Sequence, residues 1–188
     1  MKWIDRALQR WRIAKALPFI APNARILDIG SADGVLFQQL GVTGERGLGI
    51  DPTLRADTYV DGVRLVAGFF PKDMPSAEPF EVITMLAVLE HFPPSEYENL
   101  QHGCIQFLKP GGRLIITVPS PGVDRILAAL KFLKLIDGMS LEEHHDYDVN
   151  QTTAIFSAEN FRPLKRQTFQ LGLNNLFVFE RLGRAQIS

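Results

Sequence analysis

The run Ile26-Leu27-Asp28-Ile29-Gly30-Ser31-Ala32-Asp33-Gly34 constrains this chain more than any other stretch. Its apolar start belongs to a short buried strand read over Ala24–Ile29, its glycines read as a tight turn, and Val35–Leu40 begins the helix that the turn opens. Lacking Cβ, Gly30 and Gly34 let the backbone turn sharply and let a ligand approach it closely. In open α/β sheets, ligands collect beyond the carboxyl ends of the strands, near the point where strand order reverses. Asp28 then discriminates between ligands. A diphosphate seeks helix N–H groups away from any carboxylate, so an anion at Asp28 repels it and favours a cation, such as the α-ammonium group of an amino acid. The turn also departs from the dinucleotide pattern Gly-x-Gly-x-x-Gly, because Ala32 stands where the second glycine would be.

The rest of the chain alternates in kind. Gly47–Ile50 reads as a second strand closed by Asp51-Pro52, and Val63–Ala67 as a third. Phe80–Leu86 reads as a fourth, nearly all apolar, as burial on both faces requires. Ser95–Leu108 reads as a helix, entered after Pro93-Pro94 and stopped by Lys109-Pro110-Gly111-Gly112. Arg113–Val118 reads as a fifth strand and Gly122–Leu135 as an amphipathic helix. This alternation implies a parallel sheet with helices on both faces. The end differs: Leu164–Gln170 and Leu176–Glu180 are joined by too short a connection for a helix, so they are expected to pair antiparallel.

Met1–Leu17 reads as an N-terminal helix on which Trp3, Ala7, Trp11 and Ala14 share one face. That face is expected to pack on its own domain. Two tryptophans with Arg6, Arg10 and Lys15 leave a membrane surface as the alternative. Residues 1–188 are expected to form one domain, with the N-terminal helix within 1–20 and a substrate or lid region at 120–162.

Composition narrows the partners. A formal net charge of −1 gives no electrostatic case for bulk nucleic-acid binding. No apolar run approaches the roughly 20 residues of a membrane-crossing helix. Cys104 is the single cysteine, which excludes an internal disulfide; its apolar neighbours make it an inert core residue, and a reducing, cytoplasmic setting is expected.

Four segments, in order, resemble the motifs of class I S-adenosylmethionine (SAM)-dependent methyltransferases. They are Leu27–Gly34, Gly49-Ile50-Asp51-Pro52, Phe80–Ile83 continuing to Val88–Phe92, and Leu108–Ile116. Gln170–Phe177 is similar to their closing hairpin. The resemblance implies an α/β fold with a Rossmann-like seven-stranded sheet of order 3-2-1-4-5-7-6, strand 7 antiparallel and helices on both faces. It implies that Asp28, Gly30, Ser31, Ala32 and Gly34 hold the methionine part of SAM, with Leu86 nearby. Asp51, followed by Pro52, would take the ribose, in keeping with what a strand-end carboxylate can accept from sugar hydroxyls. Many relatives carry Gly-Asp where adenine binds; here the pair is Gly68-Phe69, which leaves backbone N–H groups and Phe69 or Phe70 to hold the base.

The activity so implied is methyl transfer from SAM to a small-molecule acceptor, with S-adenosylhomocysteine as product. No Asn/Asp-Pro-Pro-Tyr run follows the fourth strand, which by the same resemblance argues against nucleobase amines. A base is needed only where the acceptor keeps a proton of high pKa. The candidates are His91, after the fourth strand, and His144 and His145, in the expected substrate region. The latter pair lacks definite metal-ligand spacing, and no metal is expected. Two further readings stay open: a SAM-binding fold that holds a partner without catalysis, and an NAD(P)-linked oxidoreductase, against which Asp28 weighs. A late helix starting at Ser157 is interrupted by Pro163, so one sheet face is expected to be open to a partner or a second copy as a homodimer.

Overall fold

The computed structural model describes residues 3–120 and 148–183. Their centre is one sheet of eight strands: β1 (Ile26–Ile29), β2 (Gly47–Asp51), β3 (Thr58–Val60), β4 (Val63–Ala67), β5 (Phe80–Leu86), β6 (Leu108–Pro119), β7 (Phe161–Phe169) and β8 (Asn174–Arg181). Their order across the sheet is β3-β4-β2-β1-β5-β6-β8-β7. The five strands β4, β2, β1, β5 and β6 run parallel, whereas β8 is antiparallel to both β6 and β7.

The expected seven-stranded sheet is thereby corrected. The additional strand, β3, folds back antiparallel on β4 at the sheet edge. Its turn is Asp61-Gly62, both at positive φ (50° and 80°), the pairing that a two-residue hairpin of matching twist demands. With β3 set aside, the other seven strands keep the implied succession; the insertion shifts their numbering.

Helix α1 (Trp3–Ala16) precedes β1, α2 (Val35–Leu40) follows it, and α3 (Tyr97–Phe107) links β5 to β6. The expected helix over Gly122–Leu135 lies outside the described residues. The late helix is displaced from its expected place. It is α4 (Gln151–Ile155), and the residues from Ser157 form a turn leading into β7. Pro163 lies within β7, the last strand of the sheet, where a missing N–H leaves no ladder bond unmade. Val149, Phe156 and Phe161 are buried in the main core beside α4, and the Gln101 amide of α3 donates to the Ile155 carbonyl at 2.8 Å. These residues cover part of the face expected to be open, while β7 stays exposed from Arg162 to Arg166.

Side chains alternate across the pleat, so each strand feeds two cores. Along β5, Ile83 and Met85 join Leu100, Cys104 and Phe107 of α3 on one face; Val82 joins Phe37 of α2 and Ile13 and Ala16 of α1 on the other. Helix α1 corrects a second expectation. Ala7, Trp11 and Ala14 are exposed, and the face that packs carries Ile13 and Ala16, with Leu8, Gln9 and Arg12 half-buried. Ile13 reaches the core, and the Trp11 side turns outward, 45% exposed. No described helix is long and apolar enough to cross a membrane.

Candidate active site

The carboxyl ends of β1, β2, β4 and β5 open onto a cavity of about 1220 Å³. Backbone hydrogen bonds hold the loops around it. The N–H groups of Gly30 and Ser31 both reach the Ile50 carbonyl, at 2.8 and 3.3 Å, so the first turn is pinned to β2. Gly68 N–H donates to the Asp51 carbonyl, and Ala87 N–H to that of Thr117. Gly30 is required by conformation and by space. Its φ is +77°, and a Cβ there would stand 2.3 Å from Cγ2 of Val88.

Asp28 lies in the cavity wall but is only 5% exposed. Parallel register places Thr84 of β5 beside it, and the Thr84 hydroxyl donates to its Oδ1 at 2.6 Å. Burial pushes the carboxyl up to about 7; the Thr84 bond works against this, and the Asp51 charge adds to it. Among the described residues no basic side chain pairs with Asp28. A buried carboxylate without a cation is costly, and here it borders an open chamber from which a cation can be supplied.

Asp51 closes β2 on the same edge. Its Oδ2 accepts the Ala32 N–H at 2.8 Å, and its Oδ1 accepts the Thr53 N–H at 2.8 Å and the Thr53 hydroxyl at 2.5 Å. The bond from Ala32 holds that residue at φ +44°, an uncommon conformation for alanine. Ser31 adds a buried hydroxyl with no partner among the described residues, over Gly49, where a Cβ would come within 2.5 Å of its Oγ.

Of the residues singled out in the sequence, Asp28, Gly30, Ser31, Ala32, Asp51, Pro52, Gly68, Phe69, Leu86 and His91 all line the cavity. Gly34 does not. It starts α2 at φ +73°, and its bare Cα fits against Val60 and Leu65. His144 and His145 lie outside the described residues. The two phenylalanines divide: Phe69 is 64% exposed, and Phe70 is buried against the Phe107 ring. The Phe69 N–H, one of the backbone donors beside the expected adenine site, is taken by the Asp73 carboxylate at 2.8 Å. Gly68 makes this possible, since a Cβ there would meet Asp73 at 2.5 Å.

Sequence reasoning missed two walls. One is α1, through Gln9, Arg12 and Ile13; the other is a face of α3, through Asn99, His102, Gly103 and Gln106. The spacing of each set, three and four residues apart, was available as a signal. No group of three or more His, Cys, Asp or Glu side chains suited to a metal occurs among the described residues.

Residues 2–168 match the methyltransferase domain family. The chain belongs to it. Among curated relatives of this methyltransferase-domain protein is the ubiquinone biosynthesis O-methyltransferase of Pseudomonas putida, 25% identical over 158 residues. The match covers 78% of this chain and 62% of that relative. The enzyme of the same description from Burkholderia thailandensis is 27% identical over 137 residues, 67% of this chain and 57% of its own. The chain thus spans about three-fifths of the length of these relatives. Among solved structures, the fold is similar to that of the 1,6-didemethyltoxoflavin-N1-methyltransferase of Burkholderia thailandensis with bound 1,6-didemethyltoxoflavin and S-adenosylhomocysteine. The TM-score is 0.70 at 18% identity, covering 96% of this chain and 81% of that one. It is also similar to an N-methyltransferase of Bradyrhizobium japonicum in complex with S-adenosylhomocysteine, with a TM-score of 0.64 at 17% identity, covering 93% and 87%.

Proposed function

We propose that this protein transfers a methyl group from SAM to a hydroxyl-bearing small molecule and releases S-adenosylhomocysteine. One observation carries the cofactor assignment: a buried carboxylate, Asp28, faces the cavity beside a glycine turn, with no cation paired to it among the described residues. The SAM α-ammonium group supplies that cation; a diphosphate would bring more negative charge. Asp51, one strand over, accepts hydrogen bonds from the ribose. Phe69 offers an exposed ring to the adenine, and Leu86 and Val88 bound the methionine end. The domain assignment of residues 1–188 as one catalytic unit belongs to the same proposal.

When bound, SAM supplies a methyl group already activated by its sulfonium. The chain's part is to hold the acceptor in line, exclude water and accept a proton where one is released. The cavity exceeds the roughly 300–1,000 Å³ of a site for one small ligand, which supports room for cofactor and acceptor together. His91, at the end of the turn after β5, lines this space and is assigned as the base for a hydroxyl acceptor. The O-methyltransferase relatives support a hydroxyl as the acceptor group.

Calorimetric titration with SAM, S-adenosylhomocysteine and NAD, followed by transfer of labelled methyl to a panel of phenols, tests the proposal. Binding of the adenosyl ligands and label on a phenol are expected. Binding of NAD in their place would refute the cofactor assignment. SAM binding without transfer to any acceptor would instead fit a non-catalytic binding protein.

A further inference from the structure

The outward face of α1 joins other exposed apolar residues in a surface that the fold does not use. Ala7, Trp11 and Ala14 recur at four and three residues and are all exposed. Leu17, 38% exposed, continues the apolar surface past the helix end. At 3.6 residues per turn, Arg6 and Arg10 fall along one side of this stripe and Lys15 along the other. Beside it stands the turn between β7 and β8, with Leu171 at its tip, 96% exposed and at φ +57°. The neighbourhood is fixed: Gln170 donates from its amide to the Leu8 carbonyl, one helical turn before Trp11.

We propose that α1 and the Leu171 turn form a docking surface for an anionic lipid bilayer. The arrangement is that of a helix lying in an interface: an apolar stripe with a tryptophan, and cations on both flanks. Arg6, Arg10 and Lys15 complement lipid phosphates, and Trp11 and Leu171 enter the headgroup boundary. The opposite face of α1 carries Gln9, Arg12 and Ile13 into the cavity wall, so docking brings the cavity to the bilayer surface. The surface is separate from the methyl-transfer reading, because Arg6, Arg10, Trp11 and Leu171 do not line the cavity.

The two tryptophans of the chain, Trp3 and Trp11, both lie on α1, so intrinsic fluorescence reports this helix alone. The full chain is mixed with vesicles of phosphatidylglycerol and phosphatidylcholine, or of phosphatidylcholine alone, and read by emission wavelength and co-sedimentation. A blue shift and sedimentation are expected with the anionic vesicles only, weakening as salt is raised. Arg6→Gln with Arg10→Gln should weaken binding about thirtyfold, from the contribution of two basic residues near an anionic surface. Leu171→Asp should weaken it with no change of SAM affinity in solution. Absence of any shift or sedimentation overturns the proposal. So does a blue shift that needs no vesicles and grows with protein concentration, which would assign the surface to a second copy of the chain.

Discussion

Replacing Asp28 by Asn should stabilise the ligand-free protein, and the gain should depend on pH in a calculable way. Asn keeps an oxygen for the Thr84 hydroxyl and nearly the same shape, and removes only the charge. The carboxyl titrates near 3.8 when exposed and at about 7 in the fold, raised chiefly by burial. Across that interval the unfolded chain has released its proton and the folded chain still holds it, so stability falls as pH rises. A tenfold difference in proton affinity between the two states is worth about 1.4 kcal/mol, so the full penalty at pH 8 approaches about 4 kcal/mol. At pH 5 only about 1–2 kcal/mol of it has developed. Groups common to both proteins cancel in their difference. The advantage of Asp28→Asn over wild type should therefore widen by about 2–3 kcal/mol between pH 5 and pH 8. In Tm this is about 4–12 °C for a chain of this size. Urea and thermal unfolding of both proteins without ligand would measure it. An advantage that stays constant with pH, or a wild type more stable than the variant at pH 8, would refute the reasoning.

Three other outcomes follow from the same geometry. If SAM's ammonium group requires ionised Asp28, wild-type affinity should fall about tenfold per pH unit below 7 and level off above it; Asp28→Asn should bind weakly and without this slope, by calorimetric titration. Gly30→Ala should cost more stability than Gly111→Ala. Both glycines have similar φ (+77° and +76°), but only the first would press a Cβ onto Val88, so the difference, about 1–3 kcal/mol by denaturant titration, isolates the clash. The Cys104 thiol, fully buried and pushed up by that burial, should resist alkylation and thiol-reactive dyes until the protein unfolds.

The parallel strands were legible because each holds a short apolar run bounded by a breaker, and β4 and β5 have the limits their patterns imply. The edge strand β3 was not. Its three residues carry little burial, and its one clear signal, Asp61-Gly62, was outweighed by the longer run of Val63–Ala67. The orientation of α1 failed for a different reason. Periodicity identifies residues that share a face, but whether that face turns inward depends on what the sheet offers, and here Ile13 and Ala16 fit better than Trp11. At the site, Asp28 and Asp51 stood out because a carboxylate at a strand end is chemically conspicuous. Thr84 did not, since one threonine in an apolar strand gains meaning only from register. Asp73 escaped because its contact with the Phe69 N–H depends on the space left by Gly68.

Under the proposed function, the bonds at Asp51 make arrival of a nucleoside an exchange. A carboxylate offers about four lone-pair sites, and three donors from the chain already use them. A diol presenting two hydroxyls therefore has to dislodge one. The Ala32 and Thr53 amides are anchored in the main chain, whereas the Thr53 hydroxyl can rotate away. On that reading the Thr53 side chain serves as a placeholder that yields to the ribose and takes its position again afterwards. The net gain at this corner would then be the difference between two modest bonds, which suits a ligand that has to leave again.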